Sequence, residues 1–464
     1  MQQYLIPAEI YGDTPDNLLS YFSYFAAQPW AMLLDSAAPQ HVNSRYDILV
    51  AEPVATLVAE HGRCVLTDEH GAHPYAEDPF TVLNCALKRY FPVPAVSELP
   101  FVGGALGYFG YDLGRYIETL PATASADIQL PDMAVGIYPW ALILDKKLKQ
   151  IWYVDYRGKA EQGWQKLHSR LQQKAPLSAA FSLSSPWQAN MDKSGYIERF
   201  NQVQQYLLSG DCYQINLTQR FSAQYQGDEW QAYLQLRDKN AAPFSAFIRL
   251  PQGAVLSISP ERFLQLHSGK VETKPIKGTR PRGICPMTDE VEADNLRNSA
   301  KDRAENVMIV DLLRNDLGKV CLPGSVAVPQ LFAIESFPAV HHLVSTVTGE
   351  LSPEYSACDL LRGAFPGGSI TGAPKVRAMQ IIEQLEPQRR SVYCGAIGYI
   401  NSSGDMDTNI AIRTLVMAQG KAFCWAGGGI VADSEVNAEY EETFHKVNKI
   451  LPLLGQVKPA ASTD

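Results

Sequence analysis

The chain contains no Cys-x-x-Cys pair, no block of Lys and Arg, and no apolar run long enough for a membrane span, which takes about 18 residues. The eight cysteines (64, 85, 212, 285, 321, 358, 394 and 424) lie far apart. This spacing argues against a disulfide framework or a zinc site and fits reduced thiols in a cytoplasmic protein. The opening Met1-Gln2-Gln3-Tyr4-Leu5-Ile6-Pro7 lacks a basic region followed by an apolar stretch, so no export signal is expected. With a net charge of −9 and no basic stripe, no nucleic-acid partner is expected, and with no long apolar run no membrane span is expected either. Internal repeats and low-complexity tracts are absent too.

What is present is a chain of 464 residues, 46% apolar and 19% charged, with enough apolar material for a large core. A Ser-, Ala- and Pro-rich stretch at 173–190 divides an N-terminal region, 1–180, from a second region, 190–455. Val135–Leu144 and Gln150–Tyr156 read as paired strands around Asp145-Lys146-Lys147. The glycine-dense run from Phe101 to Tyr111 has no helix pattern after it, which argues against a dinucleotide fingerprint. In the second region Tyr196, Ile197, Phe200, Val203, Tyr206 and Leu207 recur at helical spacing, and Gly210 is placed to end the helix. Tyr213, Ile215 and Leu217 then alternate with polar residues. Further strands are expected at Val255–Ser259, Tyr393–Ile400, Met406–Met417 and Ala422–Trp425, and helices near Ser299–Asn315, Pro374–Glu386 and Ser434–Leu451. Because strands and helices do not alternate regularly, the fold class is α+β, with antiparallel sheets and helices packed outside.

Several constellations carry chemistry. Lys277 stands between a proline that stiffens the approach and a glycine that lets the chain turn, in Pro275-Ile276-Lys277-Gly278-Thr279. It is either a surface lysine in a basic loop or a buried amine whose pKa is lowered enough to make it a nucleophile. Glu435, Glu439 and Glu442 fall on one helical face, as do Asp302 and Glu305 on another. These are either two solvated faces or, brought together, an oxygen-rich site for a hard cation. Gly367–Lys375 is a glycine-rich loop that leads into a helix and could present N–H groups to an anion, yet it departs from the Walker pattern. Ala426-Gly427-Gly428-Gly429-Ile430 reads as a second backbone-rich turn, for close ligand approach or simply for tightness. Arg413, in the alternating segment Asn409–Thr414, would need an anionic partner if it points inward. His341-His342 offers a general acid/base, an orienting donor or a structural histidine. Glu261, just after a strand, is a free carboxylate or an ion-pair partner of Arg262.

Taken in order, seven strings resemble the chorismate-utilising enzymes: Ser209–Leu217, Ser259–Phe263, Pro275–Gly283, Asp302–Asn306, His341–Thr346, Gly367–Lys375 and Ala426–Ser434. The resemblance spans nearly the whole chain. It implies two packed antiparallel β-sheets flanked by helices, with the site between them, in the anthranilate synthase component I-like fold. It also implies Mg²⁺, with Glu305 and Glu442 as ligands and Asp302 and Glu439 close behind. Arg413, Tyr399 and Gly427, Gly428 and Gly429 match positions that hold substrate carboxylates. Ser369 and His342 fall near the ring, and Glu261 is the general acid/base.

Two positions choose among family members. Anthranilate synthases carry alanine where this chain has Lys277, and isochorismate synthases carry a water-activating lysine where it has Gln214. Both point to the aminodeoxychorismate synthases, which aminate chorismate at C4 on the way to 4-aminobenzoate and folate, with Lys277 as covalent nucleophile. Anthranilate synthesis is the alternative, and a non-catalytic tryptophan-binding regulator is a third reading. The family draws ammonia from a separate glutamine amidotransferase subunit, and no glutaminase motif is found here. The N-terminal region resembles the family's tryptophan pocket at Ser36, Asn43, Ser44, Arg45 and Tyr46, closed by Pro243, Phe244 and Ser245. Asp35 replaces the usual glutamate, which weakens any expectation of feedback control.

Overall fold

The computed structural model describes residues 5–10, 17–38, 41–173, 178–337 and 340–458. Two large sheets pack face to face. One has 14 strands and the other 12, and each takes strands from both regions of the sequence. In the first sheet, Met32–Asp35 from the N-terminal region pairs with Phe244–Leu250 from the second. In the second sheet, Gly104–Phe109 pairs with Ala396–Asn401. The division at 180–190 is therefore one of sequence and not of the fold. The connection itself carries short strands at Ser182–Leu183 and Trp187–Ala189, and its residues 174–177 lie outside the described residues. Among the described residues every ladder between strands is antiparallel, save the short pairing of Trp187–Ala189 with Val457–Lys458.

The first sheet is buried on both faces, which is why its strands read as continuous apolar runs. In Trp140–Asp145, Ala141 and Ile143 join the core between the sheets, while Trp140, Leu142 and Leu144 join a second core under the helices. The inter-sheet core draws Leu57, Leu106, Leu264 and Ile397 from the second sheet to meet Ile48, Ile248, Val255 and Val416 from the first. Outer helices form where expected. Asp192 caps Lys193–Leu208 by accepting from Gly195 N, and Ser299 caps Ala300–Gly318 by accepting from Asp302 N.

Two expected strands each divide into a pair. Val135–Leu144 breaks at Pro139: Met133–Tyr138 belongs to the second sheet and Trp140–Asp145 to the first. Proline lacks the N–H that would continue the ladder, and the chain changes sheets there. Met406–Met417 breaks in the same way into Met406–Ile410 and Thr414–Ala418. Between them Arg413 has φ +51°, a left-handed conformation that ends the alternation. Arg413 is thus on a crossover and not in a strand. The glycines at 427–429 are corrected the other way: they lie inside the Lys421–Ile430 strand and form no turn. Glu435 is the extended residue before the Val436–Val447 helix, so the helical acidic face is reduced to Glu439 and Glu442.

Candidate active site

The site assembles where the chain crosses between sheets. Gly253–Ser259 lies in the first sheet and Arg262–His267 in the second, with Glu261 on the crossover. The return crossover, carrying Arg413, runs beside it. Ile258 N donates to Arg413 O at 3.0 Å, and Ile410 N donates to Glu261 O at 3.0 Å. Neighbouring side chains in extended backbone point to opposite faces, so this crossover divides its two charges. Glu261 faces Lys277, whereas Arg262 binds Asp407 at 2.9 Å on the other side.

Lys277 lies on the Ile276–Pro281 strand at the end of the second sheet. The register shifts between Ile276 and Thr279, and Gly278 has φ +83°. A methyl on Gly278 would stand 2.8 Å from Asp302 Cγ and 2.8 Å from Leu296 Cδ1, so only glycine fits. The bulge turns Lys277 inward, and its Nζ donates to Ser369 O at 3.1 Å. The Ser369 side chain stands beside Glu261 and helps hold its carboxyl pKa down. One residue of the Gly368–Ile370 turn therefore touches both members of the pair.

Burial sets the electrostatics. It lowers the Lys277 pKa, reinforced by Lys446 and opposed by Glu261, Glu305 and Glu442. Burial raises the Glu261 pKa, opposed first by Lys277. The two shifts run toward each other, the direction that favours an uncharged amine beside a carboxylic acid. Arg413 is also desolvated, with Glu261 the anion that faces it. Burial pushes His342 down to about 4, helped by Arg413, His41 and His341, so the ring is neutral at pH 7. Its Nδ1 meets Thr279 Oγ1 at 2.9 Å, across a pair of neighbouring strands. His341 is the structural member of the doublet, held between Ser336 Oγ at 2.8 Å and Asp289 Oδ1 at 3.0 Å.

The acidic residues gather above the glycine strand. A methyl on Gly428 would stand 3.0 Å from Glu439 Oε2 and 3.3 Å from Glu442 Oε1. At Gly427 it would overlap the Leu217 carbonyl, and at Gly429 the Gln214 amide. Close approach of the neighbouring backbone thus requires glycine at 427, whereas at 428 and 429 the neighbours are side chains. Burial raises the pKa of Glu305, whose neighbours include Lys277, Lys301, Asp302 and Glu439. It raises Glu439 as well, although Ser434 Oγ donates to that carboxylate at 2.7 Å. At Glu442 burial is outweighed by Lys446, whose Nζ reaches Glu442 Oε1 at 2.7 Å and Gly427 O at 2.7 Å. Asp302 is engaged by Arg280 at 2.9 Å. Among the described residues no three acidic, His or Cys side chains converge as a preformed metal cage.

Tyr399 does not join this group. Its ring stands edge-on to Phe101 at 5.8 Å, and the charged groups facing it are Asp407, Arg262 and Asp405. Ser369 contacts Lys277 and Glu261, a role its glycine-rich context did not signal. Lys446 was missed, although its i+4 spacing from Glu442 was readable on a helix.

The N-terminal residues form a second polar cluster. Ser36 N and Oγ donate to Asp47 Oδ1 at 2.7 Å each, and Lys146 pairs with Asp47 at 2.9 Å. Asp35 pairs with Arg237 and accepts from Tyr233 at 3.1 Å. Asn43 accepts from Arg262 at 3.2 Å, and the Phe244 ring lies 5.0 Å beneath that guanidinium. Pro243 and the buried Ser245 adjoin Phe244, and Ser245 pairs across the sheet with Asp35. Ser44 Oγ is buried and has no hydrogen-bond partner among the described residues. Arg45, by contrast, is drawn to Asp145 at 2.8 Å and stacks 4.6 Å over Tyr46.

Residues 30–452 match the model of the chorismate binding enzyme family. The chain is 57% identical to aminodeoxychorismate synthase component 1 of Klebsiella aerogenes, over 94% of this chain and 96% of that one. It is 56% identical to the protein of the same name in Escherichia coli (strain K12), over 94% and 95%. The crystal structure of anthranilate synthase component I from Streptococcus pneumoniae superposes with a TM-score of 0.78 at 31% identity, covering 89% of this chain and 93% of that one. The chain belongs to the chorismate binding enzyme family.

Proposed function

We propose that the protein is the chorismate-aminating component of an aminodeoxychorismate synthase. Relatives of that name match at 57% and 56% identity over 94% of the chain. A relative named anthranilate synthase component 1, from Streptomyces coelicolor, matches at 38% over 84%, so anthranilate formation is the less supported reading. The observation that carries the proposal is Lys277, bonded to Ser369 O at 3.1 Å and facing Glu261.

In this reading Arg413 and the backbone of Gly427, Gly428 and Gly429 hold the substrate carboxylates. The Lys277 amine adds at C2, the ring double bonds shift, and the C4 hydroxyl leaves as water with the proton of Glu261. The new C2 nitrogen returns its proton to Glu261. Ammonia then attacks C4 and the double bonds shift back; Lys277 takes a proton from Glu261 and departs as the amine, and the C4 ammonium gives a proton back to Glu261. The pyruvyl ether stays in place. His342, neutral and held by Thr279, orients the ring side of the substrate without supplying charge.

Glu305 and Glu442, with Asp302 and Glu439 close behind, suit a hard cation: their donors are all carboxylate oxygens, Glu439 and Glu442 meet over Gly428, and Asp302 and Glu439 are charged neighbours of Glu305. Bound Mg²⁺ would neutralise and fix a substrate carboxylate. A glutamine amidotransferase subunit is the ammonia source we infer, in line with the "component 1" of the relatives' name. The cluster around Ser36, Asp47 and Lys146, with a Ser44 hydroxyl that has no partner among the described residues, is where we place a bound tryptophan. We assign the reaction to the cytoplasm, consistent with eight cysteines that are all free and with no helix among the described residues long and apolar enough to cross a membrane.

Peptide mass mapping after incubation with chorismate tests the covalent step. A substrate-derived adduct is expected on Lys277 in the wild-type chain and absent in Lys277→Ala, together with a large loss of turnover. An adduct on another residue, or full activity in the variant, would reduce Lys277 to an electrostatic contact.

A further inference from the structure

Arg390 and Glu386 form a buried ion pair that the chemistry above does not use. Glu386 ends the Lys375–Leu385 helix, and Arg390, four residues on, is 1% exposed. Such a pair adds little net stability, because desolvating two charges offsets their attraction. This one nevertheless has nearly every donor satisfied. Arg390 Nε donates to Glu386 Oε2 at 2.9 Å, and Nη2 donates to Glu386 Oε1 and to Asn216 O, both at 2.6 Å. Nη1 donates to Ile370 O at 2.9 Å. Glu386 Oε1 accepts in turn from Thr218 N at 2.9 Å and Thr218 Oγ1 at 2.8 Å. The Tyr111 ring lies 4.8 Å from the guanidinium carbon. One planar fork therefore joins the end of a helix, the Gln214–Gln226 strand and the Gly368–Ile370 turn. A lysine ammonium at this position cannot reproduce that geometry.

What the fork grips is the residue next to Ser369. Asn216 closes the other side: its N donates to Thr371 O at 2.8 Å and its Nδ2 to Ser369 O at 3.4 Å. Ser369 is thus held through its own carbonyl and through the two residues that follow it; that carbonyl is what Lys277 touches, and its side chain stands beside Glu261.

We propose that Arg390 is a positioning residue for the amination, locking the Gly368–Ile370 turn so that Ser369 aligns Lys277 with Glu261. This rests on the reading of Lys277 as nucleophile. Substrate carboxylates are held elsewhere, so loosening the turn acts on the chemical step and not on chorismate binding. Misplacing a reacting group by about 1 Å costs on the order of 100-fold.

Steady-state kinetics with chorismate and ammonium separate the possibilities. Arg390→Lys should lower kcat about 10- to 100-fold while the KM for chorismate stays within about threefold. The control is Arg249→Lys, which breaks another, partly buried fork, with bonds of 2.8 Å to Ala26 O, 2.6 Å to Glu229 and 2.8 Å to Asp228. It should lose comparable thermal stability and keep kcat. In a Lys277→Ala background, adding Arg390→Lys should cost no more than about twofold, because the residue it acts through is gone. An unchanged kcat in Arg390→Lys, an equal fall in the control, or the same fold-loss in both backgrounds would overturn the proposal. Wild-type turnover by Lys277→Ala alone would instead strike the covalent reading and the route through Lys277 with it. Should Lys277→Ala be inactive, the kcat split against the control decides alone. Should Arg390→Lys fail to fold, Glu386→Gln, which keeps the shape and removes the counter-charge, is expected to lower kcat in the same direction, and an unchanged kcat there would overturn the proposal.

Discussion

At the scale of single residues, burial acts on Lys277, Glu261 and His342 in the direction the chemistry needs. Lys277 and Glu261 were readable as motif residues, but no local signal gave their burial, which comes from two crossovers distant in sequence. His342 gives a test by pH. Its folded pKa, about 4, lies below its ordinary 6.5. The unfolded chain therefore binds the extra proton first as pH falls. The stability linked to the neutral ring is complete above 6.5 and is lost as pH falls through about 4. Replacing His342 by Gln should flatten the dependence of Tm on pH across that window. Melting curves between pH 7 and pH 4 read this directly, and equal slopes in both proteins would contradict the burial of a neutral ring. A second test concerns the acidic group. Glu442→Gln should raise the Mg²⁺ concentration that activity requires and leave the Tm nearly unchanged. A wild-type Mg²⁺ titration in that variant would remove Glu442 from the metal site.

At the scale of elements, the glycine strand and the two crossovers define the site. The run Gly427–Gly429 was legible as a place of close approach, yet it read as a turn. Its partner strand, Gln214–Gln226, is two hundred residues away in sequence, and only the pairing shows that the glycines lie in a ladder. The sheet changes at Pro139 and at Arg413 were hidden because apolar alternation runs through both. A strand that switches sheets keeps its period while exchanging its neighbours. The strand predicts a contrast between adjacent substitutions. Gly427→Ala drives a methyl into the Leu217 carbonyl, so it should destabilise by about 1–3 kcal/mol, the range of overpacking. Gly428→Ala meets only the flexible ends of Glu439 and Glu442, so it should cost less than about 1 kcal/mol and mainly lower activity at limiting Mg²⁺. Denaturant unfolding of the two variants checks the order, and equal destabilisation would show that the strand is not packed as described.

At the scale of the whole molecule, the sequence motifs are scattered because the fold threads both sheets from both regions. Seven ordered strings were enough to indicate the architecture. They were not enough to assign faces: Tyr399 belongs with Arg262 and Asp407, away from Lys277. The polar N-terminal cluster shares Arg262 with that same face, so the cluster and the Lys277–Glu261 pair meet back to back at residues 261 and 262. The purified chain should use ammonia alone and should use glutamine only after an amidotransferase subunit is added. Efficient glutamine turnover by the chain by itself would contradict the two-component reading. The most direct test of the central claim is the mass of the product formed from chorismate, Mg²⁺ and an ammonium salt. The account predicts 4-amino-4-deoxychorismate, in which the C4 hydroxyl is exchanged for an amine and the pyruvyl group is retained. Anthranilate, with pyruvate released, or no aminated product at all would contradict it.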